Sequence, residues 1–374
     1  MKGWGVMRLD SLVNFILDAN IAILIAAVAV MVSERALHFL GYARSYKIRL
    51  RLVMVSVYIL ALVPLFLFFA AGAAGPQIPS FSDMLVSQYL KGNIAMAATD
   101  FDSLLSLRQR AVQMVSDGSN LWLLGVALLL LAATVSRAGY VVFSCLRVRK
   151  IVRNGVAVKR IGRVRVIVSD EIHVPFSTRS LFSYYVVLPQ SMLMDAGLQK
   201  ISLGHELQHI RQKDINCEIA ATLVSPLFVL NPAFWYLVRK VRSLREFTCD
   251  FAYLRKSRCT PRNYAKGLVR VAETAFVKQS GRAVYAFSVP LVGRNRLFSR
   301  SAKSGLQDRI TVIAEGEGDS PGRILAGALV VTVFAILHFG ITAMQPSRGW
   351  SYDRIMVSSV ANLERLNLLN GSSN

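Results

Sequence analysis

Long apolar runs alternate along this chain with strongly basic stretches, and that pattern predicts helices that cross a membrane before any motif is considered. Three runs are each long enough for about 30 Å of hydrocarbon: Leu52 to Gly75, Leu121 to Cys145, and Ile324 to Met344. A fourth, weaker run from Leu12 to Val32 carries Asp18 and Asn20, polar groups that a span would turn toward neighbouring helices. A signal peptide fits that run poorly, because its flank is acidic as well as basic and no small-residue cleavage site follows it. Between the last two strong runs the period shortens. Arg163 to Ser169 alternates apolar and polar positions, and Tyr184 to Leu188 is a short β-branched and aromatic run stopped by Pro189, so both read as strands around a turn-like Val174-Pro175-Phe176-Ser177. From Leu198 to about Asp214, and again around Val238 to Leu254, the pattern is helical. The apolar stretch Ile215 to Val238 is expected to be buried or membrane-hugging helix and loop, broken near Ser225-Pro226 and Asn231-Pro232. Leu306 to Ile310 is placed on a helix leading toward the last span.

Composition agrees with the membrane reading. The 374 residues are 53% hydrophobic, with a mean hydropathy of +0.43, too apolar for an ordinary soluble domain. Charge then sets the orientation. Arg35, Arg44, Lys47, Arg49 and Arg51 form a basic loop after the first span, and Arg147, Arg149, Lys150 and Arg153 follow the third, which places both on the cytoplasmic side. The intervening loop at residues 76–120 carries Asp83, Asp100, Asp102 and Asp117 and reads as external. The expected architecture is an α-helical membrane protein of about four transmembrane helices with an inserted α+β domain. Its parts are a membrane unit over residues 1–145, a cytosolic domain over 146–322, a fourth span over 323–345 and a short external tail over 346–374. A net charge of +22 fits basic flanks meeting anionic lipid head groups better than nucleic acid, since no base-reading motif accompanies it. Cys145, Cys217, Cys249 and Cys259 lack C-x-x-C spacing and imply no disulfide framework.

The chemistry concentrates at Gly204-His205-Glu206-Leu207-Gln208-His209. Two imidazoles four residues apart share one face of a helix and can grip a single zinc ion, one per chain, while Glu206 reaches the water beside it as general base. Catalytic zinc takes three protein ligands and keeps one position open. Glu246 is the candidate third ligand, with Asp250 one turn later placed to orient a liganding imidazole. Spacing alone is equally consistent with a solvated Glu246/Asp250 pair beside Arg242 and Arg245. Cys249 is read as a buried thiol near the site rather than a ligand. Candidates for stabilising a tetrahedral oxyanion are His173, Tyr184, Tyr185 and Arg245.

The succession Val174-Pro175-Phe176-Ser177, Val187-Leu188-Pro189, His205-Glu206-Leu207-Gln208-His209-Ile210-Arg211-Gln212-Lys213-Asp214, Asn231-Pro232-Ala233-Phe234-Trp235 and Arg245-Glu246-Phe247-Thr248-Cys249-Asp250 resembles the BlaR/MecR-type membrane metallopeptidases. The resemblance implies a four-span unit in the bacterial cytoplasmic membrane with a gluzincin-like domain on the cytosolic side. Carried over by residue, it implies that His205, His209 and Glu246 ligate zinc and that Glu206 is the general base. Thr248, Phe251 and Tyr253 depart from the smaller or acidic types expected there. Only Gln345 to Asn374 follow the last span, so the penicillin-binding sensor of the β-lactam-sensing members is not expected. The implied activity is a zinc endopeptidase acting on a protein substrate, such as a transcriptional repressor, in response to an envelope signal. A quality-control protease of the HtpX type and a non-catalytic membrane signal transducer are the competing readings. Sequence leaves the oligomeric state open.

Overall fold

The computed structural model describes residues 9–56, 86, 88–104, 121–180, 182–280, 299–318, 322, 327, 331 and 352–371. Two long helices, α1 (Leu9–Phe39) and α2 (Leu121–Asn154), carry the apolar runs at Leu12 to Val32 and Leu121 to Cys145. Their segments Ala19–Phe39 and Leu124–Asn154 are long and apolar enough to cross a membrane. Trp122, Leu128, Leu129, Leu131 and Val135 of α2 stand exposed, as lipid-facing side chains would. The run at 52–75 lies outside the described residues beyond 56, and that at 324–344 does so apart from 327 and 331.

The chain divides into two compact units. The first comprises residues 1–35, 52–131 and 323–374. In it Val86 and Phe101 pack on Val357 of the C-terminal helix Tyr352–Gly371, and the backbone N–H of Thr99 donates to Glu364 at 3.1 Å. The second comprises residues 36–51 and 132–322.

In that second unit a four-stranded sheet runs β1 (Val156–Ile161), β2 (Val164–Ser169), β3 (Phe176–Arg179) and β4 (Tyr184–Pro189), in the order β1-β2-β4-β3. Both expected strands are present. Val174 to Ser177, read as a turn, instead runs into the short edge strand β3, antiparallel to β4. The edge strand β1 escaped the sequence pattern because all six of its residues are exposed, so no apolar alternation marks it. β2 and β4 pair in parallel, and their period of two sorts the core onto two faces. Val164, Val166, Val186 and Leu188 pack on Leu203, Leu207 and Ile210 of α3 (Ala196–Arg211). Ile167, Phe176 and Val187 pack on Val148 and Ile151 of α2. Each fully buried side chain of this size stabilises the unit by about 1.5–3 kcal/mol.

Helix boundaries follow from capping. Asp195 accepts from the backbone N–H groups of Gly197 and Leu198 at 2.9 and 3.0 Å and starts α3. Lys213, at φ 60°, turns the chain out of α3 and into α4 (Asp214–Val224). After the Ser225–Phe228 turn, Asn231 accepts from Ala233 and Phe234 while Pro232 occupies the first turn of α5 (Pro232–Lys256). The apolar stretch Ile215 to Val238 is thus helix, break and helix. α6 (Pro261–Ser280) and α7 (Ser299–Glu315) complete the unit, and both pack against α5 or α3.

Candidate metal centre

α3 carries His205 and His209 one turn apart on one face, with Glu206 next in sequence to the first, and α5 brings Glu246 opposite the two imidazoles. His205 Nε2 lies 3.1 Å from His209 Nε2 and 3.4 Å from Glu246 Oε2, and His209 Nε2 lies 3.7 Å from Glu246 Oε1. Ligands bound at about 2.0–2.1 Å around a tetrahedral ion stand about 3.3 Å apart. The imidazole nitrogens stand close to that value, and one ligand atom each from His205, His209 and Glu246 lie within 4.8 Å of one another, so the donor set suits a zinc-sized cation.

The other ring nitrogens explain why the Nε2 atoms converge. His205 Nδ1 lies 3.0 Å from the Tyr264 hydroxyl, which donates in turn to Asp250 Oδ1 at 2.7 Å, and Asp250 Oδ1 itself is 3.3 Å from His205 Nδ1. His209 Nδ1 faces Asp214 Oδ2 at 3.0 Å, and the Cys249 thiol donates to the same oxygen at 3.3 Å. With both Nδ1 atoms turned to these oxygens, the two Nε2 atoms are left facing one another. Lone pairs facing at 3.1 Å repel unless a proton or a metal ion lies between them.

Burial disfavours charge on His205, but the hydrogen bonds to Asp250 and Glu246 outweigh it and raise its pKa to about 10. Burial likewise opposes ionisation of Glu246, yet Arg309 and the two imidazoles hold its carboxyl well below the usual range. Asp250 is lowered against its burial by Arg309 and His205. Burial and the neighbouring Asp214 push the Cys249 thiol up, and its Sγ donates to Asp214 Oδ2 at 3.3 Å.

Close packing sets the distance between these helices. A Cβ on Gly204 would meet Tyr253 Cε2 of α5 at 2.3 Å, and one on Gly267 of α6 would meet Ile201 Cδ1 of α3 at 2.6 Å. Glycine at these positions lets α3 seat against both neighbours. Glu206 is 8% exposed, next to His205 in α3, while the Glu246 side chain keeps 37% exposure, so the ligand set is reachable from one side.

A profile of the family described as BlaR1 peptidase M56 matches residues 14–296. The chain belongs to the BlaR1 peptidase M56 family. Regulatory protein BlaR1 of Bacillus licheniformis is 27% identical over 171 residues, which cover 41% of this chain and only 27% of the relative. With its candidate spans, this member of the BlaR1 peptidase M56 family is a membrane protein.

The structure brings His205, His209, Glu246 and Asp250 together, while the four oxyanion candidates sit on separate elements, namely β4, α5 and the loop between β2 and β3. Tyr185 packs on the α2 side of the sheet, away from α3, because alternation sends it opposite to Tyr184. Tyr184 lies on the α3 side with its ring 5.9 Å from the Arg179 guanidinium. His173 sits half-buried in the loop between β2 and β3. Arg245 is buried against Asp214 and Glu218 of α4, at 3.6 and 3.5 Å. Sequence reasoning missed Asp214 as the partner of His209, Tyr264 as the link between Asp250 and His205, and Arg309 altogether as a site residue. A signal was available for Asp214, which lies five residues past His209, at the start of α4. Tyr264 and Arg309 come from other helices and carried none.

Proposed function

We propose that this chain is a zinc-dependent membrane endopeptidase whose catalytic unit, residues 146–322, faces the cytosol and cleaves a cytosolic regulator or membrane-adjacent protein in response to an envelope signal. The observation that carries the reading is the convergence of His205, His209 and Glu246 at separations of 3.1–3.7 Å. A zinc ion bound there would polarise a peptide carbonyl and bring the pKa of its water toward ~7. His205 and His209 would supply the two nitrogen donors and Glu246 the carboxylate. Asp250, Tyr264 and Asp214 orient the imidazoles. Glu206, one residue from the first ligand, takes the proton of the attacking water and returns it to the leaving amine. The likeness to a relative named as a regulatory protein favours a signalling substrate, such as a transcriptional repressor, over general protein turnover. The basic flanks of the spans suit a site working beside an anionic lipid surface.

The test uses the full chain in detergent micelles and a library of fluorogenic peptides. Wild type and Glu206→Gln are expected to hold about one zinc each, with the variant slower by about 10²–10⁴-fold, while His205→Ala loses the metal. Equal zinc content in wild type and His205→Ala, or equal cleavage by wild type and Glu206→Gln, would refute the proposal.

A further inference from the structure

Arg309 touches the candidate ligand Glu246 and the orienting Asp250 at once, although it lies on α7, a helix that contributes no candidate ligand. Its Nε and Nη2 donate to the two oxygens of Asp250 at 2.8 and 2.6 Å, and its Nη1 lies 2.8 Å from Glu246 Oε2. Asp250 is fully buried and reaches His205 both directly and through Tyr264. Glu246 keeps Oε1 turned toward His209 Nε2. A carboxylate that ligates through one oxygen while a guanidinium grips the other is fixed in rotation, and two acidic groups one helical turn apart are held without mutual repulsion. The planar fork is suited to this double task, which a point charge cannot do.

We propose, on the zinc reading above, that Arg309 is a positioning residue that clamps Glu246 and Asp250 from α7 and thereby sets the metal affinity of the centre. α7 is itself anchored beyond Arg309. Glu315 pairs with Arg44 at 3.4 Å, and the Gly318 N–H donates to the Arg44 carbonyl at 3.3 Å, so the clamp has a fixed base on the segment that follows α1. A purely structural tie between α7 and α5 would lower stability and leave zinc affinity alone. A positioning clamp moves the affinity in a chain that is still folded.

Zinc affinity is read by competition with a chromophoric chelator on the full chain in detergent, for wild type, Arg309→Ala, Arg309→Lys and the exposed α7 control Gln307→Ala. A melting curve in chelator checks that each is folded. Arg309→Ala is expected to weaken zinc about 10–100-fold, Arg309→Lys to recover part of that loss, and Gln307→Ala to match wild type. Wild-type affinity in folded Arg309→Ala overturns the proposal. If that variant does not fold, wild-type affinity in folded Arg309→Lys overturns it equally, since a lysine cannot bridge both carboxylates. Failure of wild type itself to take up zinc would sink the metallopeptidase reading, and the clamp with it.

Discussion

Gly204→Ala is a single added methyl that should reach the metal centre through two rings. An alanine Cβ there would sit 2.3 Å from Tyr253 Cε2 and 3.0 Å from its Cδ2, when ordinary contact begins at 3.4 Å, so something must move by about 1 Å. Tyr253 has little room to yield. It is 7% exposed, its ring lies 5.0 Å from that of the fully buried Tyr264, and Leu268 and Ile313 close the same cluster. Either α3 and α5 separate or Tyr253 presses on Tyr264, whose hydroxyl holds His205 and Asp250. Overpacking of this kind costs about 1–3 kcal/mol, and the close approach puts this site toward the upper end. Replacing a helical glycine returns at most ~1 kcal/mol. The net loss of about 1–2 kcal/mol corresponds to roughly 2–8 °C in melting temperature for a unit of this size. A shift near 1 Å also takes separations of 3.1–3.7 Å out of the tetrahedral range, so zinc affinity should fall about tenfold or more. Thermal melts and chelator competition on the full chain measure both. In the double variant with Tyr253→Leu, which removes the clashing ring edge, the alanine should cost less than it does alone. Wild-type melting temperature and wild-type zinc affinity in Gly204→Ala would show that the contact does not position the ligands.

Tyr264→Phe removes a fully buried hydroxyl that bridges His205 and Asp250, so it should cost about 1–3 kcal/mol in urea unfolding and weaken zinc about tenfold; no change in either would show that Asp250 orients the imidazole alone. pH should act on metal-free protein from both sides. The His205 pKa is raised to about 10, so its contribution is complete below the ordinary value of about 6.5 and is lost as pH climbs toward 10. The Glu246 and Asp250 carboxyls are lowered, so theirs is complete above about 4.3 and is lost as pH falls further. Melting temperature in chelator should therefore peak between those limits, and zinc, which must displace the His205 proton, should bind about tenfold tighter per pH unit from about 7 to 9. An affinity flat over that interval would refute the assignment of the proton to His205.

Much of the fold was legible because its periodicities are strong. The two apolar helices, the parallel strands β2 and β4 with Pro189 at the end, and the breaks at Ser225-Pro226 and Asn231-Pro232 all carry local physical causes that a sequence displays. β1 and β3 were hidden for opposite reasons. β1 buries nothing, so Val156 and Val158 face solvent and no alternation is enforced. β3 is four residues long, directly after Pro175 in a segment whose turn-forming residues mask its pairing with β4.

The site divides along a related line. The i, i+4 repeat that aligns His205 with His209 also aligns Glu246 with Asp250, so each helix encodes its part of the centre locally. Chemical rarity helped: five histidines stand in 374 residues, and two sit in one helical turn. The closing layer lacks both advantages. Arg309 is one of 44 lysines and arginines in a chain where basic residues mark the membrane flanks, so its burial against Asp250 has no compositional trace. Tyr264 is one of 12 tyrosines, and its place on an amphipathic helix reads as core packing. Their roles arise only once α6 and α7 dock beside α3 and α5, and tertiary docking is where a buried cation becomes necessary. Two carboxylates one turn apart, one of them fully enclosed, cannot both stay ionised in a low-dielectric interior without a compensating charge. The pair on α5 could equally have been solvated as far as its spacing shows; its enclosure in the fold is what calls for a closing cation, and Arg309 supplies it.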